Sequence, residues 1–250
     1  VGCLPDFGQI ANHPGTMILL ALVFDWEIFL GSPKFSCRPV QYTTMGNSQF
    51  QCLFLGDSYT FGESVPQDQS WPNQLSRQLL LQSGLTLLSK KIARTSWTSQ
   101  DLLNALSGAE LDNNFDLVSL MIGVNNQYQG LCLSDYRRDF KLLLAKSISY
   151  ARNQPSRVIV LSIPDWTASR FESDQDPDRM RVIIDAFNRI NKKETMASGA
   201  NWIDITPISR EVKSDPGMVA DDQLHPSGKQ YAAWVVQILP GARKVLTGWQ

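Results

Sequence analysis

From about residue 45 onwards, short apolar runs alternate with longer segments whose apolar residues recur at helical spacing. Apolar runs of this length predict strands that are buried on both faces, as in a parallel sheet. The run at 117–122, for example, holds one polar residue, Ser119, among five apolar ones. Five strands are predicted in this way, at residues 51–55, 85–93, 115–122, 158–163 and 202–205.

The segments between the strands carry the start and stop signals of helices. Ser or Thr at a first position caps the free N–H groups of a helix, Pro fits its first turn, and Gly ends it. These signals predict helices that begin at Ser70, at Thr98 or Ser99, at Ser134, at Pro177 and at Ser227. Gly84 and Gly199 end two of them, and the last helix is predicted to end at Leu239, before Pro240.

Strands that alternate with helices predict a parallel sheet with helices on both faces. We therefore predict a three-layer α/β/α fold with a central five-stranded parallel sheet, and by analogy we expect its strands in the flavodoxin-like order 2-1-3-4-5. The catalytic domain is predicted to span residues 45–250.

Residues 1–44 differ from the rest of the chain. Residues 17–24 resemble the apolar core of a signal peptide, but no basic residue precedes them, and Asp25 and Glu27 interrupt the run. The run is also too short to cross a membrane. We expect the fold to begin near Met45 and residues 1–44 to be an N-terminal extension that need not belong to it, for instance from a reading frame opened too early.

Composition and charge narrow the function classes. The apolar fraction of 43% and the charged fraction of 19% are ordinary for a globular protein, and the net charge of −1 gives no basic surface for nucleic acid. The four cysteines show no metal-type pairing, so we read Cys52 and Cys132 as reduced thiols, while nothing in the sequence supports a disulfide between Cys3 and Cys37. Free thiols favour a cytoplasmic location.

Candidate chemistry lies where the first strand ends. In open α/β sheets ligands bind at the carboxyl ends of strands, and here the sequence Gly56-Asp57-Ser58-Tyr59-Thr60 follows an apolar strand. Gly, Asp and Ser also favour plain turns, so this segment alone does not distinguish the two interpretations. A Gly-x-Ser-x-Gly motif is excluded because Thr60 stands where the second Gly would be.

A candidate general base is found by elimination. The chain has only two histidines, and His13 lies in the N-terminal extension. His225 follows Asp222 by three residues, so within one turn the carboxylate can accept the Nδ1–H and leave Nε2 free to take a proton. The alternative is that both residues belong to a helix entry at the surface.

Two further segments offer donors for an oxyanion. Asn125, after the third strand, can aim a side-chain N–H at it, and the loop 94–99 after the second strand can supply backbone N–H groups. All these segments are expected at one edge of the sheet.

With these motifs the sequence resembles an SGNH (GDSL-type) hydrolase over about residues 49–240. The resemblance implies Ser58 as nucleophile, Asp222 and His225 as its acid and base, and the N–H groups of Ser58 and Ser96 with the Asn125 side chain as the oxyanion hole. Asn126 replaces the family's usual Asp. Ser96 replaces a Gly, which would strain the site by about 1–2 kcal/mol if it requires positive φ.

The resemblance implies a serine esterase that acts on short acyl esters or lysophospholipid-like substrates and needs no metal or cofactor. Small-molecule esters are the expected partners, with no nucleic acid and no stable membrane insertion, while the oligomeric state stays open. A carbohydrate O-acetyl esterase, an acyltransferase and a catalytically weak ligand-binding protein are the alternatives. Further residues are predicted to line the substrate site, namely Asp57, Trp97, Asn126 and Trp166.

Overall fold

The structure is a computed structural model and describes residues 48–169 and 171–248. The predictions for the extension, including those for Cys3, His13 and Cys37, fall outside these residues. None of the helices in the described ranges is both long and apolar enough to cross a membrane.

The core of the fold is a five-stranded, fully parallel sheet in the order β2-β1-β3-β4-β5. This confirms the predicted fold class and strand order. Gly56 at the end of β1 lies level with Ala93 in β2 and Met121 in β3, so three loops begin at the same edge. The strands are β1 (Ser48–Gly56), β2 (Leu85–Ala93), β3 (Leu117–Met121), β4 (Val158–Leu161) and β5 (Asn201–Ile203).

Burial along the strands follows their place in the sheet. Every residue of β3 and β4 is buried, as expected for central strands covered on both faces. In the edge strand β2, by contrast, Lys90 is exposed and Lys91 is only partly buried. These charges oppose pairing of the edge strand with another chain.

Two layers of helices cover the sheet. In one layer α2 packs on α8, and in the other α5 packs between α3 and α6. Edge-to-face contact of Phe54 with Trp71, at 5.3 Å between ring centres, joins β1 to the first layer. The helices are α1 (Ser58–Phe61), α2 (Trp71–Ser83), α3 (Ser99–Ser107), α4 (Val124–Tyr128), α5 (Leu133–Tyr150), α6 (Pro177–Ser198), α7 (Thr206–Arg210) and α8 (Gly228–Thr247).

Two helix boundaries differ from the prediction. Helix α8 does not end at Leu239 but continues through Pro240 to Thr247. Pro240 leaves the carbonyl of Val236 without an intrahelical donor, and Val236 is 71% exposed, so the break falls on the solvent side. Helix α5 begins at Leu133 with Cys132 as its N-cap, so Ser134 lies inside the first turn and does not cap it.

Candidate active site

Ser58 is placed by a tight turn between β1 and α1. Asp57 caps α1, because its Oδ1 accepts the Tyr59 N–H at 3.1 Å, and Ser58 is the first helical residue. Gly56 makes the turn fit: a Cβ there would lie 2.2 Å from the Thr60 hydroxyl and 2.6 Å from the Met121 carbonyl oxygen. The turn therefore holds Ser58 rigidly at the carboxyl edge of the sheet.

His225 lies against Ser58, although 167 residues separate them in sequence. Its Nε2 is 3.0 Å from Ser58 Oγ, and the side chain is almost wholly buried. The ring packs near that of Tyr59, with 5.1 Å between centres. The backbone carbonyl of His225 accepts the Ala220 N–H at 2.8 Å, which closes the loop before α8.

Asp222 contacts the other side of the imidazole. Its Oδ2 lies 2.6 Å from His225 Nδ1 and also accepts the Ser64 hydroxyl at 2.6 Å. Its Oδ1 accepts the backbone N–H groups of Leu224 and His225 at 3.0 and 2.9 Å. Partial burial raises the pKa of Asp222, but the hydrogen bonds from Ser64, His225 and the backbone outweigh it and lower the pKa to about 2.

Three N–H donors stand at the same edge. Within the part of the chain that the structure describes, the backbone N–H groups of Ser58 and Ser96 make no hydrogen bond. One N–H of the Asn125 amide donates to the Trp97 carbonyl at 2.9 Å, which orients the amide and leaves its second N–H available. Ser96 has φ of +65°, the left-handed conformation that favours Gly.

Asp57 is fully buried, and one of its oxygens is unpaired. Among the described residues, Asp57 Oδ2 has no hydrogen-bond partner. Burial raises the pKa of Asp57 to about 7, although the backbone N–H bond to Oδ1 lowers it in part. A side chain without solvent contact presents no surface to a ligand, so Asp57 does not line the site as predicted but caps the helix beneath it.

Asn126 is also buried, with 2% of its surface exposed to solvent. Its Oδ1 accepts the Ser99 N–H at 2.8 Å, and its Nδ2 donates to the Ser99 hydroxyl at 2.8 Å. That hydroxyl in turn donates to Asp139 at 3.1 Å. Asn126 thus holds the start of α3 to α4, and through it the loop that carries Ser96, which is a supporting contact and not the predicted substrate contact.

The two predicted tryptophans contact different residues of α4. Trp97 is partly buried against the core and contributes its carbonyl to Asn125. Trp166 is buried; its Nε1 donates to Gln127 Oε1 at 2.6 Å, and its ring meets that of Tyr128 edge to face at 5.2 Å. A substrate-lining role stays a prediction for both.

Two supporting residues carry no recognisable sequence signal. Ser64 reaches Asp222 from a loop 158 residues away, and no motif marks it. Asp165, directly before Trp166, accepts hydrogen bonds from Thr167 and from Arg210 at 2.8 Å and so fixes the loop after β4. No cluster of metal-binding side chains occurs within residues 48–169 and 171–248.

This fold brings a serine, a histidine and an aspartate into contact, an arrangement that serine hydrolases use. Comparison with family models then identifies the family: residues 54–233 match the GDSL-like lipase/acylhydrolase family, and the chain belongs to it. The predicted family and the predicted enzyme class, a carboxylic ester hydrolase, are confirmed. Its substrates are accordingly small-molecule esters. No curated protein sequence matches the chain.

Solved structures share the fold at low sequence identity. Axe2, an acetylxylan esterase from Geobacillus stearothermophilus, has a TM-score of 0.62 at 20% identity, covering 78% of this chain and 95% of Axe2. TesA has a TM-score of 0.61 at 18% identity, covering 78% of this chain and 99% of TesA. A lipolytic G-D-S-L family protein from Veillonella parvula has a TM-score of 0.58 at 18% identity, covering 77% and 97%.

Proposed function

We propose that this hydrolase cleaves esters of short acyl groups through an acyl-enzyme on Ser58, with His225 as base and Asp222 as the acid that orients it. The observation that carries the proposal is the 3.0 Å contact between Ser58 Oγ and His225 Nε2, on a ring whose Nδ1 lies 2.6 Å from Asp222. Acyl transfer of this kind requires a nucleophile within hydrogen-bond reach of a base, and a carboxylate within reach of that base to orient it.

These contacts assign each group a step in the proposed ester hydrolysis. Asp222 accepts the Nδ1–H, so the Nε2 lone pair takes the proton as Ser58 Oγ attacks the ester carbonyl. The N–H groups of Ser58 and Ser96 and the free N–H of Asn125 receive the oxyanion. His225 then protonates the leaving alcohol, and a water molecule, activated in the same way, releases the acid from Ser58. No step uses a cofactor.

The spacing of acid and base has a counterpart in Axe2. Two of the matched structures are described as catalytic mutants of that esterase, one with an Asp and one with a His replaced by Ala, and these two residues are three positions apart. Asp222 and His225 have the same spacing. This supports their proposed roles beyond the geometry.

A small acyl group is proposed because Axe2, which shares the fold, is an acetylxylan esterase.

The test is hydrolysis of p-nitrophenyl acetate, butyrate and octanoate by the full chain and by Ser58→Ala, with Ser107→Ala on α3 as a matched control. We expect activity that falls with chain length, is lost in Ser58→Ala and is kept in Ser107→Ala. Equal activity in wild type and Ser58→Ala would refute the acyl-enzyme. No activity in any variant would favour a ligand-binding protein, and diversion of the acyl group to an added alcohol would favour an acyltransferase.

A carbohydrate O-acetyl esterase is the second candidate. Tyr128, three residues after Asn125, is 42% exposed and contacts the ring of Phe171, beside an open cleft lined by residues 172–175. Exposed aromatic faces next to carboxylates and amides suit sugar rings, and Axe2 is an acetylxylan esterase. Tyr128→Ala should then reduce acetate release from acetylated xylo-oligosaccharides and leave p-nitrophenyl acetate hydrolysis unchanged.

Two further proposals concern the whole chain. We propose a domain that begins near Met45, so that a chain lacking residues 1–44 should remain soluble and active. We also propose a cytoplasmic location, supported by the free thiols of Cys52 and Cys132. Fractionation of the source cells would test it.

A further inference from the structure

Within residues 48–169 and 171–248, the carboxylate of Asp222 accepts four hydrogen bonds, and one of them comes from outside its own turn. The N–H groups of Leu224 and His225 occupy Oδ1. Oδ2 lies 2.6 Å from both the His225 Nδ1 and the Ser64 hydroxyl. The Ser64 hydroxyl is therefore the second donor on the oxygen that orients the imidazole.

Ser64 belongs to a loop that contacts three segments of the proposed site. The loop Gly62–Ser64 follows α1, and the Glu63 N–H donates to the Ser58 carbonyl at 3.1 Å. The Glu63 carboxylate accepts the hydroxyl of Thr95, next to Ser96. Ser64 completes the set by reaching Asp222. The loop thus joins the segments that carry the nucleophile, an oxyanion donor and the acid.

The backbone of Ser64 is in a conformation that costs free energy. Its φ is +61°, a region where a residue with a Cβ is strained and Gly is not. Strain that is kept at a functional site indicates that the side chain does something that Gly could not do. Among the described residues, the only side-chain hydrogen bond of Ser64 is the one to Asp222.

We propose that Ser64 is a positioning residue that holds Asp222 in the orientation that His225 needs. The inference rests on the proposed function, because it requires Asp222 to orient the base. Without the hydroxyl, the carboxylate keeps its backbone bonds on Oδ1 but loses the second contact that fixes Oδ2 in line with the Nδ1–H. The imidazole then spends less time aligned with Ser58, which lowers turnover and not substrate binding.

The test compares Ser64→Gly, Ser64→Ala and Ser64→Asn in hydrolysis of p-nitrophenyl acetate, with Ser107→Ala as control. Gly removes the hydroxyl and relieves the strain, Ala removes only the hydroxyl, and Asn tolerates positive φ while supplying a new N–H donor. Gly and Ala should lower kcat about three- to tenfold with KM unchanged, as expected for one partly exposed hydrogen bond to a carboxylate. Asn should restore part of kcat.

Two measurements separate positioning from a structural role. The urea midpoint of Ser64→Gly should not fall below that of wild type, because strain is relieved. In an Asp222→Ala background, Ser64→Gly should change kcat less than twofold, because its partner is gone. Unchanged kcat in Ser64→Gly, or an equal loss in both backgrounds, would overturn the inference. Full activity in Asp222→Ala would instead overturn the proposed function itself.

Discussion

The buried carboxyl of Asp57 makes the stability of this domain depend on pH in a way that one substitution should remove. Asp57 has no solvent contact, and its Oδ2 is unpaired among the described residues. Asp57→Asn keeps the Oδ1 acceptor that caps α1 at the Tyr59 N–H and removes the charge. The variant therefore isolates the cost of ionising a carboxyl in this position.

The size of the effect follows from the pKa of Asp57, which burial raises from 3.8 to about 7. Below pH 4 the group is neutral in both the folded and the unfolded chain, and the folded state keeps its full stability. As the pH rises to 7, the unfolded chain ionises while the folded chain retains its proton, so the free energy of unfolding falls. A difference of about 3 pKa units corresponds to about 4 kcal/mol lost above pH 7.

The assay is urea unfolding at pH 4.5, 6 and 8 for wild type, Asp57→Asn and the exposed control Asp112→Asn. We expect the stability of Asp57→Asn relative to wild type to increase with pH, by about 3–4 kcal/mol across this range. Asp112→Asn should follow wild type at each pH. If the difference between Asp57→Asn and wild type stayed constant within about 0.5 kcal/mol, the reasoning from burial would be refuted.

Three further substitutions test the site. Ser96→Gly relieves the strain of the positive φ, and urea unfolding should show a free energy of unfolding that is higher by about 0.5–1 kcal/mol, with the added flexibility of the unfolded chain included. A lower free energy of unfolding would contradict the strain. Gly56→Ala places a methyl group against Thr60 and the Met121 carbonyl, so in the same assay it should lower the free energy of unfolding by about 1–3 kcal/mol. An unchanged urea midpoint would contradict the steric argument. Asn125→Ala should lower kcat for p-nitrophenyl acetate about 10²- to 10³-fold, whereas a change in KM alone would argue against an oxyanion contact.

The sequence predicted the sheet well because the signals for a parallel sheet are local. Strands such as β3 and β4 are covered on both faces, so their sequences are apolar runs. The N-cap residues Thr98 and Ser227 mark where α3 and α8 begin. The alternation of strands and helices predicts a parallel sheet but not its strand order, for which the flavodoxin-like order 2-1-3-4-5 was an analogy. The predicted end of α8 was wrong because the cost of Pro240 depends on which side of the helix it faces, and that is decided by packing.

The candidate site was predictable in so far as its residues follow strand ends. Ser58 and Asn125 lie at one edge because β1 and β3 end there together, and His225 reaches Ser58 from the loop before α8. The contact of Ser64 with Asp222 was not predictable, since it joins loops 158 residues apart and involves a common residue type. The burial of Asp57 was missed for a related reason, because a turn residue that caps a helix and one that faces substrate look alike in sequence.

The sequence separation of 167 positions between Ser58 and His225 also bears on how refolding of the protein can be followed. The two side chains meet only after the chain has closed almost the whole domain, which is among the slowest kinds of contact to form. Ester cleavage during refolding would then report the docking of the last helix onto the finished sheet, and it should trail the recovery of helical circular dichroism.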